Sequence, residues 1–152
     1  MIHKTAIVES DNIGEGTNIW ANSHICKDVK IGISCTIGEN VYIGKGVVIG
    51  DRCRIQNGSL IYEGVTLGND VFIAPGVVTT NDIFPELPVG DWSERFRETK
   101  IQDNVSIGAN STIVCGITLE KGTMIGAGSV VTKSTKEGGV YYGNPAKFKR
   151  WK

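Results

Sequence analysis

From Ile7 onward, large aliphatic residues recur at every sixth position: Ile7, Ile13, Ile19, Ile25, Ile31, Ile37, Ile43, Ile49, Ile55, Ile61, Leu67 and Ile73. After a break the step resumes at Ile101, Ile107, Ile113, Leu119, Ile125 and Val131. Four residues after each aliphatic stands a small or β-branched residue, as at Cys35, Val41, Cys53 and Ser111, and glycine often follows the aliphatic directly. A period of six fits neither a helix, which needs about 3.6, nor an alternating strand, which needs 2. A short strand and a turn every six residues do fit. Three such sides close a triangular coil of eighteen residues, and stacked coils bury the aliphatic ladder inside a prism. The pattern predicts an all-β fold, a parallel β-helix over residues 1–135.

The break carries information of its own. Ile73 and Ile101 are 28 residues apart, which is not a multiple of six, so an insertion is predicted at about 82–100. It holds two prolines, mixed charge and three aromatic residues, a composition unsuited to a coil side. Long loops in compact domains are usually functional. From Lys136 the repeat is lost, and 136–152 is expected to cap the last coil.

Composition narrows the function. Sixteen basic residues balance sixteen acidic ones, so no bulk field gathers nucleic acid or an anionic membrane. No apolar run is long enough to span a membrane, and the start lacks the apolar region of a signal peptide; a soluble, cytoplasmic chain is expected. Four cysteines without a CxxC pair and only two histidines argue against a zinc finger or a disulfide framework, and no metal is expected.

Residues eighteen apart should stack about 4.8 Å from one another, so chemistry can be sought in columns. Lys45, Glu63 and Asn81 form one, at the mouth of the insertion. As a solvated ladder it would supply about 0–1 kcal/mol of ion pairing. Gly108 and Gly126 form a second column beside Ala109 and Ala127.

The [LIV]-G-x-x-[STAV]-x signature resembles the hexapeptide-repeat, left-handed parallel β-helix acyltransferases, and the handedness is implied by that resemblance. Thr80-Asn81-Asp82-Ile83-Phe84-Pro85, Ile19-Trp20 with Ser23-His24-Ile25, and Gly108 to Gly116 are similar to motifs of the bacterial N-acetyltransferases that modify nucleotide-linked 3-amino sugars. The resemblance implies acetyl-CoA as donor and a nucleotide-linked 3-amino-3-deoxy sugar for surface polysaccharide, including lipopolysaccharide, as acceptor. A dTDP-3-amino-3,6-dideoxyhexose is favoured, with a UDP-3-amino-glucuronate next. It places Asn81 and Glu63 beside the sugar amine, with Asp82 and Phe84 near the acceptor; Lys45 departs from the family's pattern and is a substrate-binding candidate through its place in the column. Arg95 and Arg97 become candidates for the diphosphate, with Trp92 or Phe84 for the base and His24 at the substrate edge. Gly108, Ala109, Gly126 and Ala127 would lie along the pantetheine arm. Gly143-Asn144-Pro145-Ala146-Lys147 resembles the family's tail motif near the adenine, which brings in Asn144 and Pro145, with Lys133, Lys147 and Arg150 as candidates for the 3′-phosphate. A homotrimer with active sites between subunits is implied.

Two rivals remain. A sugar O-acetyltransferase needs a true general base for an alcohol, which His24 would have to supply. A β-helix scaffold without catalysis is permitted by the repeat alone, but it requires neither the loop nor the Asn-Glu column.

Overall fold

The computed structural model describes residues 1–87 and 90–152; Pro88 and Val89, inside the expected insertion, lie outside the described residues. The chain is a left-handed parallel β-helix. Its strands, mostly two residues long, stack into parallel sheets of seven, five and eight strands, one sheet to each face of the prism. A strand is this short because each side must turn, and the turn recurs at one place. The residue three after the buried aliphatic takes a positive φ, as at Asn22 (58°), Asn40 (54°) and Gly64 (94°), where glycine and asparagine are least penalised.

The ladder fills the interior as expected: Ile19, Ile25, Ile37, Ile43, Ile55, Ile61, Leu67, Ile73, Ile101, Ile107, Ile113 and Leu119 are fully buried. Cys35 and Cys53 stack among them as core residues, each thiol donating to a carbonyl, of Gly50 and of Gly68, at 3.1 Å. Two expectations are corrected. Ile7 is 58% exposed because it pairs with His24 and places Val8 opposite Ile25; the inward residue is Val8, and the side from Val8 to Ile13 is one residue short. The insertion ends earlier than expected, since Thr99–Ile101 is a strand beside Val65–Leu67. Its net length is sixteen residues, because Leu67 pairs with Ile101 at a spacing of 34 instead of 18.

The three faces differ chemically. One presents Lys30, Val48, Thr66 and Lys100; the next presents Asn18, Thr36, Arg54 and Phe72. The third presents Ile7, His24, Tyr42, Leu60, Val78, Thr112 and Val130. That face has no residue of fixed charge at an outward strand position and is called the apolar face below. The tail forms an antiparallel hairpin, Gly139–Gly143 with Ala146–Trp151, whose first strand extends a sheet beside Met124–Ile125.

Candidate functional site

The chain enters the apolar face at one edge of the prism and leaves it at the other, and the candidate residues divide between these edges. The exit edge carries Lys45, Glu63, Asn81, Cys115 and Lys133 in one column. The entry edge carries Trp20, Gly38, Gln56, Ala74, Gly108 and Gly126. Within one chain a whole side of the prism separates Asn81 from the Gly-Ala column.

At the exit edge, Asn81 Nδ2 donates to the Glu63 carbonyl at 3.2 Å, and its own carbonyl accepts from Arg97 N at 3.0 Å. The amide is thereby oriented, and its Oδ1 takes no hydrogen bond among the described residues. Beside it lies a cleft of about 230 Å³ lined by Tyr62, Val78, Thr79, Thr80, Asn81, Asp82 and Pro85. The Glu63 side chain is exposed one coil away, and Lys45 forms no ion pair with it among the described residues.

The insertion is pinned to this edge. Phe96 lies over Gly64, where a Cβ would stand 2.5 Å from its ring; Thr99 N donates to Gly64 O at 3.0 Å, and Trp92 packs edge-on against Phe96 at 4.8 Å. Asp82 accepts from Phe84 N at 3.0 Å and meets the Arg95 guanidinium at 3.3 Å. Arg95 also donates to the carbonyls of Phe84 and Glu86. Asp82 and Arg95 therefore organise the loop, and the expectation of Arg95 as a free diphosphate ligand is corrected: its guanidinium is largely buried and engaged within the loop. Arg97 donates to the carbonyls of Glu94 and Phe96, while the Phe84 ring is 69% exposed.

The remaining candidates are placed as follows. His24 Nε2 lies 3.0 Å from Glu9 Oε1, and its ring meets Tyr42, which in turn meets Tyr62 at the cleft. A hydrogen bond to Cys26 and burial push the Tyr42 phenol up to about 12, so it stays protonated. His24 belongs to the N-terminal coils, away from Asn81. Gly108 and Gly126 are demanded by the prism itself, because a Cβ on either would collide with Ala127 N or with Tyr142. Ala109 is half-buried and Ala127 exposed, so the edge is left smooth. In the tail, Lys149 sits over the Tyr142 ring at 4.6 Å, and Asn144, Pro145, Lys147 and Arg150 are exposed.

Sequence reasoning missed Tyr62 and Thr80 as cleft walls, though the same eighteen-residue step places Tyr62 beneath Thr80. The Asp82–Arg95 clamp had no such signal, since it depends on the path of the loop.

No helix among the described residues is long and apolar enough to cross a membrane. The family model "GMPPB C-terminal domain" matches residues 19–95, and "Bacterial transferase hexapeptide (six repeats)" matches residues 98–133. The chain is 59% identical over 148 residues to a dTDP-3-amino-3,6-dideoxy-alpha-D-galactopyranose 3-N-acetyltransferase of Aneurinibacillus thermoaerophilus, covering 97% of this chain and 76% of that protein. Among solved structures it is similar to a mutant of AntD, an N-acyltransferase from Bacillus cereus in complex with dTDP-4-amino-4,6-dideoxyglucose and coenzyme A. That likeness has a TM-score of 0.66 and 22% identity, and covers 99% of this chain and 79% of that one. The acetyltransferase domain of PglB from Neisseria gonorrhoeae aligns with a TM-score of 0.67 and 22% identity, over 98% of this chain and 57% of that one. These two likenesses are likenesses of fold.

Proposed function

This chain belongs to the hexapeptide-repeat transferases and to the family of the Aneurinibacillus 3-N-acetyltransferase, and we propose that it acetylates the 3-amino group of a dTDP-3-amino-3,6-dideoxyhexose with acetyl-CoA as donor. The galacto sugar is favoured over its gluco epimer and over a UDP-3-amino-glucuronate by the 59% identical relative. The observation that carries the reading is the oriented Asn81 amide in its cleft, one coil above Glu63.

Its chemistry follows from that orientation. With Nδ2 committed to a backbone carbonyl, Oδ1 accepts an N–H of the sugar amine and turns the nitrogen lone pair toward the thioester. The amine, with a pKa near 8 by analogy with an α-amino group, is already partly neutral at physiological pH. The C–N bond forms, the C–S bond breaks, and the amine's proton ends on the departing thiolate. Glu63 accepts the second N–H and holds the amine in line, so orientation is the main contribution.

The donor runs along the entry edge, past Ala109 and Ala127, toward Lys147 and Arg150 for its phosphates, with Lys133, on the exit edge, supplied by the neighbouring copy. Because the two edges are a full side apart, the complete site is assigned to a homotrimer. Each apolar face packs around the three-fold axis, so that the exit edge of one copy meets the entry edge of the next. The absence of fixed charge along that face supports the arrangement. A cytoplasmic role in building a surface polysaccharide follows from the substrates.

The test is thiol release from acetyl-CoA against a panel: dTDP-3-amino-3,6-dideoxy-galactose and -glucose, UDP-2-acetamido-3-amino-glucuronate, and a hydroxyl sugar without the amine. Turnover on the dTDP-3-amino sugars is expected. Turnover only on the hydroxyl sugar would overturn the reading in favour of O-acetylation.

A further inference from the structure

Trp20 is 42% exposed on the entry edge of the prism. Its column continues with Gly38, Gln56, Ala74, Gly108 and Gly126 and ends at Tyr142, so no second aromatic shares the edge between Trp20 and Tyr142. Beneath the indole the bare backbone of Gly38 leaves a groove of about 270 Å³, completed by Thr36, Glu39, Gln56 and Asn57. Gly38 has to be bare, because a Cβ there would collide with Asn57 Oδ1. That oxygen accepts from Glu39 N at 2.9 Å, which leaves Asn57 Nδ2 as an outward donor. The side chains of Gln56 and Glu39 take no hydrogen bond among the described residues.

An exposed indole flanked by one fixed amide donor and one free amide matches a pyrimidine of the thymine or uracil type. Such a base offers a face for stacking and an edge that reads acceptor, donor, acceptor. Asn57 Nδ2 suits one carbonyl, while Gln56 suits the N–H and the other carbonyl together; Glu39 suits a sugar hydroxyl.

The position fits the acceptor as well. Ala74 is on the coil of the Asn81 cleft, and Trp20 is three coils below it, roughly 14 Å at one strand spacing per coil. That is the scale of an extended ribose diphosphate. The Gly-Ala column assigned to the donor runs from Ala74 in the opposite direction. We propose that the Trp20 groove is the nucleobase subsite of the acceptor and that it serves the Asn81 cleft of a neighbouring copy. The inference rests on the function and the trimer proposed above.

The test uses the full chain with dTDP alone and with the dTDP-3-amino sugar. Trp20→Ala is expected to weaken calorimetric dTDP binding about tenfold, within the range of one lost base stack. The sugar KM should rise in parallel, with kcat and the acetyl-CoA KM nearly unchanged, and Trp20→Phe should keep most of the affinity. Coexpression of Trp20→Ala with Asn81→Ala chains checks the trans arrangement. At low acceptor concentration, random assortment makes about one site in four intact, with activity restored to match.

Unchanged dTDP binding in Trp20→Ala would overturn the subsite while leaving the acetyltransferase reading intact. A defect in both single variants without restoration in mixed oligomers would overturn its service across copies. Trp20-dependent dTDP binding in a chain that acetylates no amino sugar would uphold the subsite and sink the reaction instead.

Discussion

A methyl group added at Gly64 tests whether the insertion is held by one contact and whether that contact reaches the site. Gly64 has φ 94°, and an added Cβ would stand 2.5 Å from Phe96 Cζ and 3.0 Å from Cε2. Gly64→Ala therefore carries backbone strain of about 1–2 kcal/mol. It also displaces the ring, with loss of the edge contact to Trp92 worth about 0.5–1.5 kcal/mol, so about 2–3 kcal/mol in all is expected. Phe96→Ala removes the obstacle but loses the half-buried ring. In the double variant only the strain and the ring loss remain, so the two changes should together cost about 1 kcal/mol less than their sum, a coupling typical of side chains in contact. Urea unfolding at one fixed protomer concentration measures the cycle. Because Arg97 N holds the Asn81 carbonyl, Gly64→Ala should also lower kcat/KM. Additive stabilities within about 0.3 kcal/mol, or a Gly64→Ala enzyme with full kcat/KM, would refute the reasoning.

Asn81→Ala should lower kcat/KM at least about tenfold, the scale of one positioned hydrogen bond, with little change in Tm; a collapse in Tm would mark the amide as a structural tie to Glu63 instead. His24→Ala should leave kcat within about twofold, since its ring nitrogen faces Glu9 and a positioned general base contributes far more, about 10²–10⁴-fold; pH-rate profiles of both proteins check this. Arg52 donates twice to Asp70 at 2.8 Å, and this pairing holds the Asp70 carboxyl below the usual carboxylate range. The contribution is present above the unfolded carboxylate pKa of about 3.9 and is lost as the pH falls through the lowered folded value. The stability gap between the wild type and Arg52→Ala should therefore close on acidification, as read from urea midpoints across pH.

The interior was legible because a buried ladder imposes its period on composition. Twelve large residues at the six-residue step are fully buried, and the small position four residues later is buried at Val29, Cys35, Val41 and Ser111 alike. The same rule erred at the first side: the step of six runs back to Ile7, but pairing with His24–Ile25 turns the adjacent Val8 inward instead. Thr99 was hidden for a related reason. It occupies the small position before Ile101 but follows a loop of charged residues, so composition pointed away from a strand.

The amino-acid sequence by itself determined the prism, its coil length, the presence of an insertion, and the Glu63–Asn81 column, because all four depend on spacing along the chain. Tertiary structure alone decided what the insertion does with its charges and which edge each column occupies. Arg95 is turned inward by Asp82 and by two carbonyls brought near it by the loop's path, a contact no period encodes. Asn81 and the Gly-Ala column fall on opposite edges of the apolar face because the insertion adds sixteen residues without changing which side the next strand joins. That placement is a property of the closed triangle, and it is the physical reason one chain alone carries only half of each proposed site.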